Sequence, residues 1–225
     1  MNTTPEILYE DTHILVCVKP SGVPVQTKSI GTPDLESLLK NHLTASVKGS
    51  GRKPPYLAVI HRLDQPVRGI LVFAKTPDAA KKLNHQMQED RFGKYYQAVV
   101  CGRLPEESGT LTNYLVKDGR TNTSRICEKN TPGAKHAELS YEVVSTSDAT
   151  GLSIVNIRLK TGRHHQIRVQ MAGAGAPLQG DNKYNPAYTR QKGYCPIALC
   201  AYRLQFTHPI TGEKLDFSID CSWKN

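Results

Sequence analysis

The sequence contains no apolar run near the roughly 18 residues that a membrane span needs, and its opening, MNTTPEILYED, has no basic region leading into an apolar stretch. These absences predict a soluble, cytoplasmic protein without membrane attachment. A Cys-x-x-Cys pair is also missing. The six cysteines stand at 17, 101, 127, 195, 200 and 221, and the apolar neighbours of Cys17, Cys101 and Cys200 point to buried thiols. Cys195, Cys200 and His208 match no standard zinc spacing, so no metal is assigned. Neither common phosphate-binding glycine motif occurs, and there is no internal repeat or low-complexity tract. Acidic residues are in short supply: 20 Asp and Glu against 29 Lys and Arg give a net charge of +9 and a pI near 9.3. That balance points to polyanionic partners, RNA, DNA or anionic membranes, without choosing among them. At 225 residues the chain can bury one full core, which predicts a single domain over residues 1–225.

Short runs rich in Ile, Leu and Val at 6–9 and 13–19 read as a strand pair. Lys19-Pro20-Ser21-Gly22-Val23-Pro24 then breaks regular structure into a rigid loop. Thr32 before Pro33, with Leu35, Leu38, Leu39 and Leu43 on one face, predicts a capped helix over about 33–45. Residues 47–56, with Lys48, Arg52 and Lys53, suit a basic loop. A strand at 57–60 leads into the segment Ile60-His61-Arg62-Leu63-Asp64, and Gly69–Lys75 reads as a buried strand. Thr76-Pro77 starts a second helix that ends before Gly93.

The later half turns to period-two alternation at 137–143 and 155–159, and 197–206 with 214–219 forms a terminal hairpin. Many strands and few helices predict an α+β fold on a mixed, mostly antiparallel sheet with flanking helices and loops.

Asp64 closes a buried strand between basic and apolar neighbours, where environment sets its ionisation. Taken alone, such a residue is more often a loop carboxylate paired with Arg62. Its surroundings reverse that reading. The segment HRLDQPVRGILVFAKT resembles the signature of the RluA family of pseudouridine synthases, and ILYEDTHILVCVKPSGVPV, KYYQAVVCG, TGRHHQIRVQ, QGDNKY and ALCAYRLQFTHPITGE agree with that family in the same order. The resemblance implies the pseudouridine synthase catalytic fold and isomerisation of a uridine in rRNA or tRNA, with no cofactor.

Residue by residue, the resemblance makes Asp64 the catalytic carboxylate, Tyr96 the active-site tyrosine and Arg168 the arginine that supplies a countercharge. Tyr96 offers a face for a uracil to stack on and a phenol to assist proton removal at C5. Tyr95, pointing to the opposite side of a strand, is expected in plain core packing. Arg62 would occupy the space left when the target nucleotide leaves its stack, with Lys75 and Ile167 lining the pocket. His164 and His165 are placed in a nucleic-acid-binding loop. The chain departs from the family at Val67 and Arg68, where Thr-Ser is usual, and at Gln170 and Cys200, where histidines are usual.

The first catalytic motif begins near residue 6, so no room is expected for the S4-type RNA-binding domain of several relatives, and RNA recognition falls to the catalytic domain, acting as a monomer. Two other classes compete: a non-catalytic RNA-binding or ribosome-assembly protein, and a carboxylate-dependent hydrolase. The hydrolase wants a second acidic residue across the scissile bond, and the motifs offer none.

Overall fold

A computed structural model describes residues 5–29, 31–45, 54–89, 91–189, 196–221 and 223. In chain order its elements are β1 (Glu6–Glu10), β2 (Ile14–Lys19), α1 (Leu35–Ala45), β3 (Ala58–Val59), β4 (Arg68–Ala74), α2 (Pro77–Gln88), β5 (Gly93–Cys101), β6 (Ser108–Asp118), β7 (Thr123–Cys127), β8 (Lys135–Ser147), β9 (Leu152–Leu159), α3 (Gln166–Gly173), β10 (Leu199–Thr207) and β11 (Lys214–Ser218). The fold is α+β. Among the described residues no helix is long and apolar enough to cross a membrane. The chain forms two compact units: one holds the described residues up to Gly93 with Tyr202–Ile219, the other Lys94–Ala201 with the end of the chain.

In the first unit the strands lie in the order β1, β2, β4, β10, with β3 on β4 and β11 on β10. β2 is buried along its whole length, which is why ILVCVK carries apolar residues on both faces. It pairs antiparallel with β4 from Ile14 opposite Ala74 to Lys19 opposite Gly69. That register sets Lys19 beside the start of β4, immediately after the segment that carries Asp64. Ile14, Val16, Ile70, Val72, Leu83, Phe92 and Phe206 share one core, with the rings of Phe92 and Phe206 stacked at 5.3 Å. Burying one such side chain contributes roughly 1.5–3 kcal/mol. α2 begins as its Thr-Pro signal predicts, the Thr76 hydroxyl accepting from Ala79 N. For α1 the cap is Asp34 rather than Thr32: its Oδ1 accepts from Ser37 N at 2.8 Å while Oδ2 accepts from Thr27 N. A carboxylate with two backbone donors outcompetes a hydroxyl two residues earlier.

The second unit is an antiparallel sheet in the order β5, β9, β8, β6, β7. Alternation puts Leu139, Tyr141, Val155, Ile157 and Leu159 on its buried face. α3 packs against β6 and β7. Every residue from Gln166 to Met171 is buried, including Gln166, Arg168 and Gln170. Val169 packs with Leu115 and Ala137, while the buried polar residues of this helix are held by hydrogen bonds. Gln166 Oε1 accepts from Thr161 Oγ1 and Arg163 N, and its Nε2 donates to Glu138 O. Gln170 Nε2 donates to Leu111 O at 3.0 Å and to Asn113 Oδ1 at 2.8 Å. Of the basic loop expected over 47–56, residues 47–53 lie outside the described residues.

Candidate active site

Asp64 lies in the stretch between β3 and β4. Ile60, Leu63 and Val67 are buried and anchor it, Arg62 is exposed, and Asp64 is half-buried between them. A turn follows, closed by Val67 N donating to Asp64 O at 3.0 Å. This turn is laced to the loop after β2. Gly22 N donates to Gln65 O and Gln65 Nε2 donates back to Gly22 O, both at 2.9 Å, and the Ser21 hydroxyl donates to Pro66 O. Gly22 sits at φ 86°, a left-handed conformation that glycine adopts without a Cβ penalty.

Lys19 completes the arrangement. Its side chain is fully buried, and its Nζ donates to Pro20 O at 2.9 Å, Val23 O at 2.8 Å and Gln65 O at 2.9 Å. An ammonium has three protons to give. Here each has a carbonyl. Burial pushes the Lys19 amine down to about 7, with the negative charge of Asp64 acting in the opposite direction. The lysine thus ties the Pro-Ser-Gly loop to the turn after Asp64 and places a positive group in that carboxylate's field. The sequence marks Lys19 only as the start of a loop-breaking run, and its partner Gln65 lies 46 residues on.

Lys75 belongs elsewhere. It follows the far end of β4, where Lys75 N bonds to His13 O, and its Nζ is taken by Glu10 Oε1 at 2.8 Å and Asp11 O at 2.5 Å. Seven strand residues at about 3.3 Å each separate it from the Asp64 end of β4. The structure does not bring Lys75 to Asp64.

In the second unit Tyr96 is buried on β5, opposite Ile157. Tyr95 faces the other side, half-buried, with the Arg158 guanidinium 5.8 Å from its ring centroid. Plain core packing is therefore corrected for Tyr95: the sheet's second face is polar and partly open there. Ile167 is buried in the first turn of α3.

Arg168, one residue on, is buried and grips Asp181 with two bonds, Nε to Oδ2 at 2.8 Å and Nη2 to Oδ1 at 2.7 Å. Asp181 is wholly buried and also accepts from Lys183 N and Tyr184 N. The guanidinium lies 5.1 Å from the centroid of the Tyr184 ring. Gly180, at φ 76°, admits this turn because an added Cβ would collide with the Pro196 carbonyl. His164 and His165 stand in the turn that leads into α3. His165 is buried and meets Tyr184 Oη, and His164 meets Ser124 Oγ. The described residues contain no group of three or more His, Cys, Asp or Glu placed to hold a metal.

An α+β chain with a half-buried carboxylate at a braced turn and a buried arginine on a short helix is the class these observations define. The RNA pseudouridylate synthase family matches residues 13–173, and the chain belongs to that family. It is 34% identical over 212 residues to an uncharacterised RNA pseudouridine synthase of Bacillus subtilis, covering 92% of this chain and 66% of that protein. It is 33% identical to ribosomal large subunit pseudouridine synthase D of Vibrio parahaemolyticus, covering 94% and 66%. To ribosomal large subunit pseudouridine synthase C of Vibrio vulnificus it is 31% identical, covering 94% and 64%. The chain thus spans slightly less than two thirds of the length of these relatives. In fold it is similar to human RNA pseudouridylate synthase domain containing 4, with a TM-score of 0.76 at 23% identity, covering 96% of this chain and 88% of that one.

Proposed function

We propose that this protein converts uridine to pseudouridine within structured RNA, with Asp64 as the catalytic carboxylate. The observation that carries the reading is the family match together with Asp64 standing half-buried on a turn braced by Lys19. In this reaction the bond from N1 to C1′ breaks, the uracil turns, and C5 bonds to C1′. C5 loses its proton and N1 gains one, so atoms and electrons balance without an external oxidant or reductant.

The roles follow from chemistry. Asp64 acts as an ionised carboxylate on the ribose or base, and Arg168 provides the positive charge that favours that form. Tyr96 stacks on the uracil and assists loss of the C5 proton. Ile167 lines the base pocket, and exposed Arg62 fills the space that the flipped nucleotide leaves. The match from 13 to 173 runs through both compact units, which supports a single catalytic domain. Ribosomal RNA is the favoured substrate class, since two of the relatives are named for the large subunit.

The test is tritium release from RNA labelled at uridine C5, with products identified by chromatography. Wild type should release tritium and yield pseudouridine, and Asp64→Asn should do neither while still binding RNA. Free uracil as product, or an Asp64→Asn variant as active as wild type, would overturn the proposal.

A further inference from the structure

The bidentate bond to Asp181 fixes the direction of the Arg168 guanidinium, whose central carbon lies over the Tyr184 ring at 5.1 Å from its centroid. Tyr184 is itself held at three points. Its backbone N donates to Asp181 Oδ1 at 3.2 Å. Its hydroxyl accepts from Ser124 N at 2.7 Å on β7, and meets His165 Nδ1 at 2.7 Å. Burial holds His165 neutral, and in the tautomer with its proton on Nε2 the Tyr184 hydroxyl donates to Nδ1.

The geometry of His165 is costly. It opens α3 in the left-handed region, φ 54° and ψ 28°, with no side-chain cap bond. Such a conformation is strained for an L residue other than glycine. What it achieves is to aim the imidazole at Tyr184. His164 stacks on that imidazole at 3.8 Å and is anchored in turn by Ser124 Oγ at 2.8 Å. Simple packing of an aromatic ring behind an arginine needs no hydroxyl. This ring has one, fixed by a strand on one side and by a strained helix cap on the other.

We infer that Tyr184 and His165 are positioning residues that set the tilt of the Arg168 guanidinium for catalysis. The inference rests on the role proposed above for Arg168. It is supported by the state of His165: burial, and then the nearby charge of Arg168, hold its pKa down to about 2, so no second cation forms beside the guanidinium.

The experiment compares folded wild type, Tyr184→Phe, His165→Leu and His165→Asn, with circular dichroism as the check on folding. Tyr184→Phe keeps the ring and removes the hydroxyl, and should lower kcat about tenfold or more with KM for RNA little changed. His165→Leu should match it. His165→Asn should recover most of kcat, because asparagine tolerates the left-handed conformation and its Oδ1 can accept where Nδ1 did. The double variant Tyr184→Phe with His165→Leu should fall no further than either alone, as expected of groups acting in series.

An independent readout is the Arg168 side-chain Nε–H resonance, which should move in Tyr184→Phe as the ring shifts. If it does not move, the inference is overturned whatever the activity. Wild-type kcat in Tyr184→Phe, or a loss confined to KM, also overturns it. Should Tyr184→Phe not fold, His165→Leu against His165→Asn decides: equal kcat in the two overturns the inference. A shifted resonance with no pseudouridine from wild type supports the positioning and removes the proposed reaction instead.

Discussion

Arg168 and Asp181 form a bidentate ion pair, at 2.8 and 2.7 Å, with both side chains removed from solvent. Removing one member breaks that pair. Asp181→Asn leaves the guanidinium facing a neutral amide, and breaking such a buried pair costs about 3–5 kcal/mol. Chemical denaturation of the variant should show a loss of that size, with activity falling even where the protein stays folded. A loss under about 1 kcal/mol would mean that the pair contributes little to the fold.

Lys19 makes stability depend on pH in a definite direction. Its amine titrates near 7 in the folded chain against an ordinary value of 10.5, because burial penalises the charged form. Between those values the unfolded chain binds more protons, so the Lys19 contribution to stability rises with pH, by up to about 1.4 kcal/mol per unit. Below pH 7 the penalty is present in full. Denaturation midpoints of wild type and Lys19→Met across pH 7 to 10.5 should therefore diverge in favour of wild type as pH rises. Parallel curves would exclude a depressed lysine. Asp64→Asn removes the charge that opposes the shift, and should lower the Lys19 pKa further.

Gly180→Ala tests the turn that delivers Asp181. The position has φ 76°, and an added Cβ would meet the Pro196 carbonyl. Backbone strain and collision together should cost at least about 2 kcal/mol, read as a lower melting temperature. An unchanged melting temperature would mean that this backbone relaxes freely.

Arg62 is exposed beside Asp64, and its proposed role has meaning only where a nucleotide must leave a stack. Arg62→Ala should lower kcat/KM by about tenfold on a uridine in a stem-loop, and much less on one in an unstructured strand, where little unstacking is needed. Equal losses on both would reduce Arg62 to a phosphate contact.

Much of this protein was legible in its residues. The fully apolar run of β2, the alternation of β8 and β9, and the Thr-Pro start of α2 are local signals, and local sterics and solvent exclusion produced the elements they announce. Asp64 stood out through its motif. What the chain could not announce were partnerships formed across sequence distance. Arg168 and Asp181 lie 13 residues apart, and Lys19 and Gln65 lie 46 apart. Lys75 was misplaced because an apolar strand followed by a lysine does not say which end of that strand faces the site. The register of β2 on β4 decides it, setting Lys19 at the Asp64 end and Lys75 at the other. The polar surface of α3 hid in the same way. Gln166, Arg168 and Gln170 are polar, yet each is buried because carbonyls and side chains of the strands and loops around the helix take up their hydrogen bonds. Residue types determined which groups were present and which segments became strands; only tertiary packing supplied the partners that let charged and polar groups remain inside.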